Sequence, residues 1–299
     1  MGLLSKWVES LDYEYEILSS CTRHQGHYSA CEQCIAVCEE EAISIVNRQP
    51  VVDHNKCVQC GKCIVACPVQ AIAGILPERK ISQNQLVISG QHIPSSKELL
   101  IYYKKGIQTI IGKDEPSIQS WNQPIEEANK MLRELGESPF SVSVKSVEQK
   151  EEHYSRRALF SLWKNESKSI MKQVTPAKWR FNHEVSNLQK HYTGYQFSNI
   201  SLNVEKCTLC TVCERVCHKK CFAIGEGHFS LSLQDCSSCR LCADTCPEKA
   251  IIIEDKIVKV EDTILPIYEK VCQSCDQTFQ TLREHDDQCV ACMKLKSVF

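Results

Sequence analysis

Seven cysteines in the first quarter of the chain recur near its end, each displaced by 179 residues, as from Cys31 to Cys210. Pro68 and Pro247 follow the last cysteine of each set and match at the same displacement. Such self-similarity indicates one structural module used twice. The two sets are Cys31, Cys34, Cys38, Cys57, Cys60, Cys63 and Cys67, and Cys210, Cys213, Cys217, Cys236, Cys239, Cys242 and Cys246.

Composition and charge restrict the class of protein. A chain of 299 residues predicts about two domains, and 42% hydrophobic with 24% charged residues is typical of a soluble globular protein. The formal charge of −2 argues against nucleic acid or an anionic membrane as the main partner. We expect neither a signal peptide at the N-terminus nor a transmembrane segment. Twenty-one cysteines without an export signal predict a cytoplasmic protein whose reduced thiols bind metal.

The spacing of the cysteines indicates which metal. Both modules carry C-x2-C-x2-C-x3-C-P, in 57–68 and 236–247. Three sulfurs of such a loop bind one iron–sulfur cube, and the fourth cysteine ligates the other cube of a pair. A four-thiolate site also suits zinc, but interlocked sets favour iron–sulfur clusters. The predicted ligand sets are Cys207, Cys210, Cys213 and Cys246; Cys236, Cys239, Cys242 and Cys217; and Cys57, Cys60, Cys63 and Cys38.

One remaining set breaks the repeat. Tyr28 stands where the second module has Cys207, so this cube has only Cys31, Cys34 and Cys67 from the standard set. We expect Cys21 to fold back and supply the fourth thiolate. The alternatives are a three-iron cluster, or ligation by a histidine of the intervening loop, His24 or His27.

Three further positions lie next to predicted ligands. Cys221 corresponds to Ala42, and we interpret it as a small packing residue and not as a ligand. Glu39 and His218 occupy the positions of the two motif prolines, where a polar side chain tunes the reduction potential of a cluster.

The C-terminal cysteines have a different spacing. Cys272 and Cys275 are followed, after thirteen intervening residues, by Cys289 and Cys292. Paired C-x2-C motifs at this separation are typical of structural zinc. Rubredoxin-type iron is the alternative, but its motifs carry glycine after the second cysteine, where this chain has Asp276 and Met293.

Residues 21–79 and 201–262 resemble the bacterial two-cluster [4Fe–4S] ferredoxin domain family. The resemblance implies a ferredoxin-like fold for each module and up to four [4Fe–4S] clusters. The organisation also resembles the iron–sulfur electron-transfer subunits of anaerobic or respiratory oxidoreductases. These relatives imply a redox partner protein as donor or acceptor.

The cysteine-free middle of the chain predicts a different fold. Residues 80–148 alternate as strand, helix, strand, helix and strand, with Ser95 or Ser96 as the N-cap of a helix that ends at Lys105. Such an order predicts a small parallel α/β domain. We predict an α+β protein in which two ferredoxin-like dicluster modules flank this domain. A lead-in (1–20), a helical linker (149–200, with a helix over 157–174) and a zinc-binding segment (266–299) complete the prediction.

The motifs favour electron transfer over catalysis. The chain has no C-x3-C-x2-C motif for radical chemistry, no dinucleotide-binding glycine motif and no P-loop. Cubes with four thiolates leave no open position for a substrate. The leading hypothesis is an electron-transfer protein or subunit. The alternatives are a cluster- and zinc-dependent redox-sensing or scaffold protein, and an enzyme using an incompletely ligated cluster at Cys31, Cys34 and Cys67.

Overall fold

The computed structural model describes residues 14–74, 79–88, 93–144 and 188–296. They divide into two units, one within Met1–Cys21 and Glu32–His191 and the other within Thr22–Cys31 and Tyr192–Phe299. Helices and strands are mixed in both units, in agreement with the predicted α+β class.

The first unit begins with a small cysteine-rich module. Its strands are β1 (Glu16–Ile17), β2 (Ile43–Val46), β3 (Gln49–Val52) and β4 (Ile72–Ala73). Strand β1 pairs antiparallel with β4, and β2 pairs with β3 through a tight turn. The helices α2 (Gln33–Ala36) and α3 (Lys62–Ala66) follow cysteine loops, whereas the short helix α1 (Thr22–Gln25) belongs to the second unit. The core combines apolar side chains with ligand cysteines, among them Tyr15, Ile43, Ile64 and Cys63.

An α/β layer forms the rest of the first unit. Its strands are β5 (Ile81–Ser82), β6 (Gln85–Val87), β7 (Thr109–Gly112) and β8 (Ser141–Val144), in that order across the sheet. The predicted parallel pairing is present between β6, β7 and β8, whereas β5 adds an antiparallel edge strand that the sequence did not indicate. A short helix, α6 (Leu188–His191), closes this unit in the chain.

Two longer helices connect the parallel strands. Helix α4 (Ser96–Lys104) is capped by Ser95, whose side chain accepts a hydrogen bond from the Glu98 N–H, as predicted. Helix α5 (Glu115–Glu134) begins two residues earlier than expected, because Asp114 and Ser117 form a capping box. Its buried residues recur with helical spacing, so one face packs on the layer. They are Trp121, Ile125, Ala128 and Leu132.

The second unit contains the second module and the C-terminal segment. Strand β10 (Asn199–Leu202) pairs with β13 (Ile251–Glu254), and the hairpin β11 (Phe222–Gly225) and β12 (His228–Leu231) is extended by β15 (Thr263–Pro266). A further pair joins β9 (Tyr195–Gln196) to β14 (Val258–Lys259). The helices α7 (Val212–Val216) and α8 (Leu241–Thr245), and the hairpin β11–β12, lie 179 residues after their counterparts in the first module.

The C-terminal segment folds as a hairpin followed by a helix. Strand β16 (Tyr268–Val271) pairs with β17 (Thr278–Thr281), and helix α9 (Val290–Lys296) ends the described chain. Arg283 joins this segment to the second module by donating from Nη1 to the Glu205 carbonyl at 2.6 Å. The helix predicted over 157–174 lies outside the described residues.

Candidate metal centres

Four predicted ligands of the first module line one cavity. Cys38, Cys57, Cys60 and Cys63 surround a space of about 160 Å³. Cys57 and Cys60 lie in the loop before helix α3, Cys63 lies within that helix, and Cys38 follows helix α2. The rest of the wall is partly apolar, with Val37, Ile43, Val52 and Ile72, and partly charged, with Glu39, Glu40 and Lys62.

The backbone of this loop turns twice through the left-handed region. Gln59 has φ 53° and Gly61 has φ 80°. The second module repeats the conformation at Ser238 and Arg240, and a third loop has it at Leu209 and Thr211. Non-glycine residues seldom adopt this conformation, and successive amides turned in this way form concave sites for anionic groups, including iron–sulfur clusters.

Four ligands of the second module line a smaller cavity. Cys207, Cys210, Cys213 and Cys246 surround about 20 Å³. The side chain of Cys210 is exposed, whereas Cys246 is buried. Among the cysteines of the two ferredoxin-type modules, Cys210 is therefore the one on the surface.

The second loop of this module brings its predicted set into mutual contact. The pKa of the Cys242 thiol is raised by burial and by the nearby sulfurs of Cys239, Cys236 and Cys217. Cys236 and Cys242 belong to the hydrophobic core of the module. The set that the spacing predicted is thus close in space, with Cys236 and Cys242 buried and Cys217 and Cys239 half-buried.

Backbone amides hold the last cysteine of each short motif. The N–H groups of Ala42, Ala71, Cys221 and Ala250 donate to the sulfur four residues earlier, at 3.1–3.4 Å. The accepting sulfurs belong to Cys38, Cys67, Cys217 and Cys246. Such bonds favour the thiolate, which is the form that ligates iron.

Burial opposes ionisation of several other predicted ligands. It raises the pKa of Cys213 to about 12 and moves the pKa of Cys63 above its usual range, assisted in both by neighbouring sulfurs. Several buried thiolates cannot coexist in an apolar cavity without a compensating positive charge. The donor set therefore fits a group that contains metal ions, and a four-iron cube satisfies it.

The predicted set Cys21, Cys31, Cys34 and Cys67 draws its cysteines from both units. Cys31 ends the segment 22–31, which groups with the second unit, whereas the other three cysteines group with the first. This ligand assignment stays a prediction.

Cys21 has the same local position as Cys207. The Cys21 N–H donates to the Leu18 carbonyl at 3.0 Å, just as the Cys207 N–H donates to the Asn203 carbonyl at 3.1 Å. Leu18 and Asn203 each follow the strand that pairs with the last strand of their module. The extra residues of the first module therefore lie after its first cysteine and not before it.

The inserted segment 22–31 packs within the second unit. The Ala30 N–H donates to Asp244 Oδ2 at 2.8 Å, and Gln25 Oε1 lies 2.7 Å from His218 Nε2. Of the two histidines considered as ligands, His24 is half-buried and His27 is exposed. Tyr28, at the position of the missing cysteine, is 77% exposed.

Tyr15 is a residue of the first cavity that the sequence analysis missed. It is 2% exposed, lines the cavity wall and donates from its hydroxyl to the Gln59 carbonyl at 2.8 Å. Burial and the Cys63 sulfur raise its pKa well above the usual range. The alternation of Tyr13, Tyr15 and Ile17 was the available signal.

The C-terminal cysteines form a separate, tighter group. The sulfurs of Cys272, Cys275, Cys289 and Cys292 all lie within 4.8 Å of one another. Cys275 and Cys289 are 3.9 Å apart, close to the separation of about 3.8 Å that zinc–sulfur bonds of about 2.3 Å give at a tetrahedral site. A four-iron cube needs thiolates that stand further apart. The group fits one ion.

The C-terminal hairpin and helix hold these four thiols around one point. Cys272 and Cys275 flank the turn of the β16–β17 hairpin, and Cys292 lies in the first turn of α9. The Cys289 N–H donates to the Cys272 sulfur at 3.3 Å and is the main cause that lowers the pKa of Cys272 to about 6. Asp276 has φ 56°, the conformation that glycine supplies in other C-x2-C turns.

Comparison with known proteins supports the iron–sulfur interpretation of the first module. A family model described as a 4Fe-4S binding domain matches residues 49–72, which contain Cys57, Cys60, Cys63 and Cys67. A search of curated proteins finds no match to the chain. The family match and the clustered cysteines together show an iron–sulfur, ferredoxin-like domain. In the part of the chain that the structure describes, no helix is long and apolar enough to cross a membrane.

Proposed function

We propose that the protein carries single electrons to or from a redox partner protein, either alone or as a subunit of an oxidoreductase. Up to four [4Fe–4S] clusters take part. Three would be held by the sets around Cys38, Cys213 and Cys242 described above, and the fourth by Cys21, Cys31, Cys34 and Cys67. The proposal places a structural zinc ion at Cys272, Cys275, Cys289 and Cys292.

The observation that carries this proposal is the cavity around Cys38, Cys57, Cys60 and Cys63. Four thiols supply every ligand that a cube needs. A cluster bound in such a site takes up or releases one electron without exchanging a ligand.

The test is anaerobic reconstitution of the full chain, with iron, sulfide and zinc analysis and electron paramagnetic resonance. We expect about sixteen iron and sixteen sulfide per chain and one zinc. Dithionite should reduce the clusters, and a one-electron acceptor protein such as a cytochrome should reoxidise them without a change in iron content. Saturation near eight iron would show that one module is not a dicluster site. Clusters that cannot be reoxidised by one-electron acceptors would overturn the proposal.

The same experiment separates the two other functions. A substrate-like ligand that alters the spectrum of one cluster would favour an enzyme at Cys31, Cys34 and Cys67. Partner binding that requires intact clusters but does not depend on their oxidation state would favour a scaffold protein.

A further inference from the structure

Corresponding turns follow a ligand cysteine in the two modules. We call residues 38–41 the acidic turn and residues 217–220 the basic turn. The Glu41 N–H donates to the Cys38 carbonyl at 3.1 Å, and the Lys220 N–H donates to the Cys217 carbonyl at 3.0 Å. Glu41 and Lys220 have φ 48° and 53°. The backbone therefore holds three residues in the same place beside each ligand sulfur.

The side chains at these three places carry opposite charges. The acidic turn has Glu39, Glu40 and Glu41, all exposed, where the basic turn has His218, Lys219 and Lys220, also exposed. Negative charge near a cluster disfavours the added electron, and positive charge favours it.

Other charges near the two loops reduce this contrast without reversing it. Lys62 lies 2.7 Å from Glu39, and Lys56 precedes Cys57, which leaves one net negative charge at the first site. Asp235 precedes Cys236 and offsets one of the two lysines at the second site. Glu214 and Arg215 of helix α7 offset each other.

Hydrogen-bond donors beside the ligand sulfurs also differ between the two modules, and they too favour the reduced cluster in the second. Cys221 is 2% exposed, and its single S–H is placed to donate to the sulfur of either Cys217 or Cys236. The first module has Ala42 at the position of Cys221, and a methyl group donates nothing. Donation to a ligand sulfur stabilises the reduced cluster and raises its reduction potential.

We infer that the cluster of Cys217, Cys236, Cys239 and Cys242 has a higher reduction potential than the cluster of Cys38, Cys57, Cys60 and Cys63. Electrons then pass from the first module to the second. One cluster loses one electron and the other gains it, and no bond forms or breaks. This inference rests on the proposed electron-transfer function and gives it a direction. Cys221, Lys219 and Lys220 are positioning residues that act through the ligand sulfurs.

Burial of the ligands also acts the other way. Cys236 and Cys242 are both buried, whereas Cys63 is the one buried ligand of the first set. Burial disfavours the more negative, reduced state. Since the charges and the donors lie directly beside the sulfurs, we assign them the larger effect. Substitutions that change the charges and the donors, and keep the buried cysteines, separate these effects from burial.

The test is a potentiometric titration of the reconstituted full chain, followed by electron paramagnetic resonance. One variant carries Glu39→His, Glu40→Lys and Glu41→Lys, and a second carries His218→Glu, Lys219→Glu and Lys220→Glu. We expect the first variant to raise the potential of one cluster and the second to lower that of another. The matched control, Glu126→Lys with Glu127→Lys on exposed positions of α5, should shift neither.

A third variant, Cys221→Ala, keeps the inference testable if the triple variants misfold. It installs the residue that the first module has at this position, so the module should fold and bind its cluster. We expect a lower potential for the second cluster alone. Equal or reversed potentials in the parent protein, or no shift in Cys221→Ala, would overturn the inference. Failure to find iron and sulfide at all would instead overturn the proposed function.

Discussion

At the scale of single residues, Tyr15 shows how a side chain outside the cysteine motif completes a cluster site. Its ring is buried against the cavity wall and its hydroxyl is bonded to the ligand loop at Gln59. Gly74 lies against the same ring, where a Cβ would come within 2.6 Å of it. The ring therefore fixes the approach of strand β4 as well as one wall of the cavity.

Burial of Tyr15 predicts that its hydroxyl stays protonated at alkaline pH while the protein is folded. A phenol whose pKa is raised by burial contributes stability below the unfolded value near 10, and this stability is lost as pH rises above it. At pH about 11 the folded parent and Tyr15→Phe should therefore show equal tyrosinate absorbance. After denaturation the parent should exceed the variant by one tyrosine. A difference between the parent and Tyr15→Phe before denaturation would contradict the burial argument.

The break in the cysteine repeat gives a second prediction. Cys21→Ala should convert one cluster to a three-iron form even under argon, because it removes the predicted fourth thiolate. In the parent, air should produce this form at the same site first, since the long loop after Cys21 opens more readily than a short one. Cys221→Ala should keep all four clusters. Electron paramagnetic resonance and iron analysis of the two variants provide the readout. An unchanged cluster complement in Cys21→Ala would direct attention to His24 and His27.

The spacing indicated which cysteines lie together around the two cavities and in the C-terminal group, because short regular spacings bring sulfurs close in space. It could not predict Tyr15, since contact between β1 and the cavity depends on the pairing of Ile17 with Ile72 across the module. The size of Cys221 led to its interpretation as a packing residue, whereas the structure also places its S–H within reach of the sulfurs of Cys217 and Cys236. Contacts between residues distant in sequence were the missing information in both cases.

At the scale of elements, a buried ion pair joins the parts of the α/β layer. Arg79 donates two hydrogen bonds to the Glu98 carboxylate at 2.8 and 3.0 Å, and both side chains are less than one-tenth exposed. The guanidinium also lies 5.9 Å from the centre of the Trp121 ring in α5. Periodicity predicted the helices and parallel strands of the layer, but neither this pair nor the edge strand β5, because both depend on residues that precede the periodic segment.

Removal of one partner should destabilise the layer strongly. Glu98→Ala leaves a buried guanidinium without its carboxylate, at a cost of about 3 kcal/mol or more. Hydrogen exchange of the amides of β6 and β7 in the full chain measures the loss. The matched control is Glu137→Ala, which breaks a pair with Lys104 whose side chains are about one-third exposed, and it should cost less than about 1 kcal/mol. Equal effects of the two substitutions would contradict the assigned role of burial.

At the scale of the whole molecule, the described regions draw their stability from different sources. The two cysteine-rich modules include ligands in their cores, as Cys63 and Cys242 show. The α/β layer buries apolar side chains without any cysteine, among them Leu86, Leu99 and Ile110. The C-terminal segment buries Cys272 completely within a small hairpin and helix. Small cores of this kind depend on ligation for much of their folding energy.

Selective metal loss should therefore unfold the chain in parts. Removing the clusters anaerobically with an iron chelator should abolish hydrogen-exchange protection in the hairpins β2–β3 and β11–β12, while β6 and β7 stay protected. The variant Cys275→Ser with Cys292→Ser should lose zinc and the protection of β16–β17, yet keep its iron. Mass spectrometry of exchanged peptides resolves these regions within one sample. Because the α/β layer contains no predicted ligand, loss of protection in β7 together with the clusters would show that the layer has no independent core. Retained protection in both cysteine-rich hairpins would show that their apolar contacts suffice without metal.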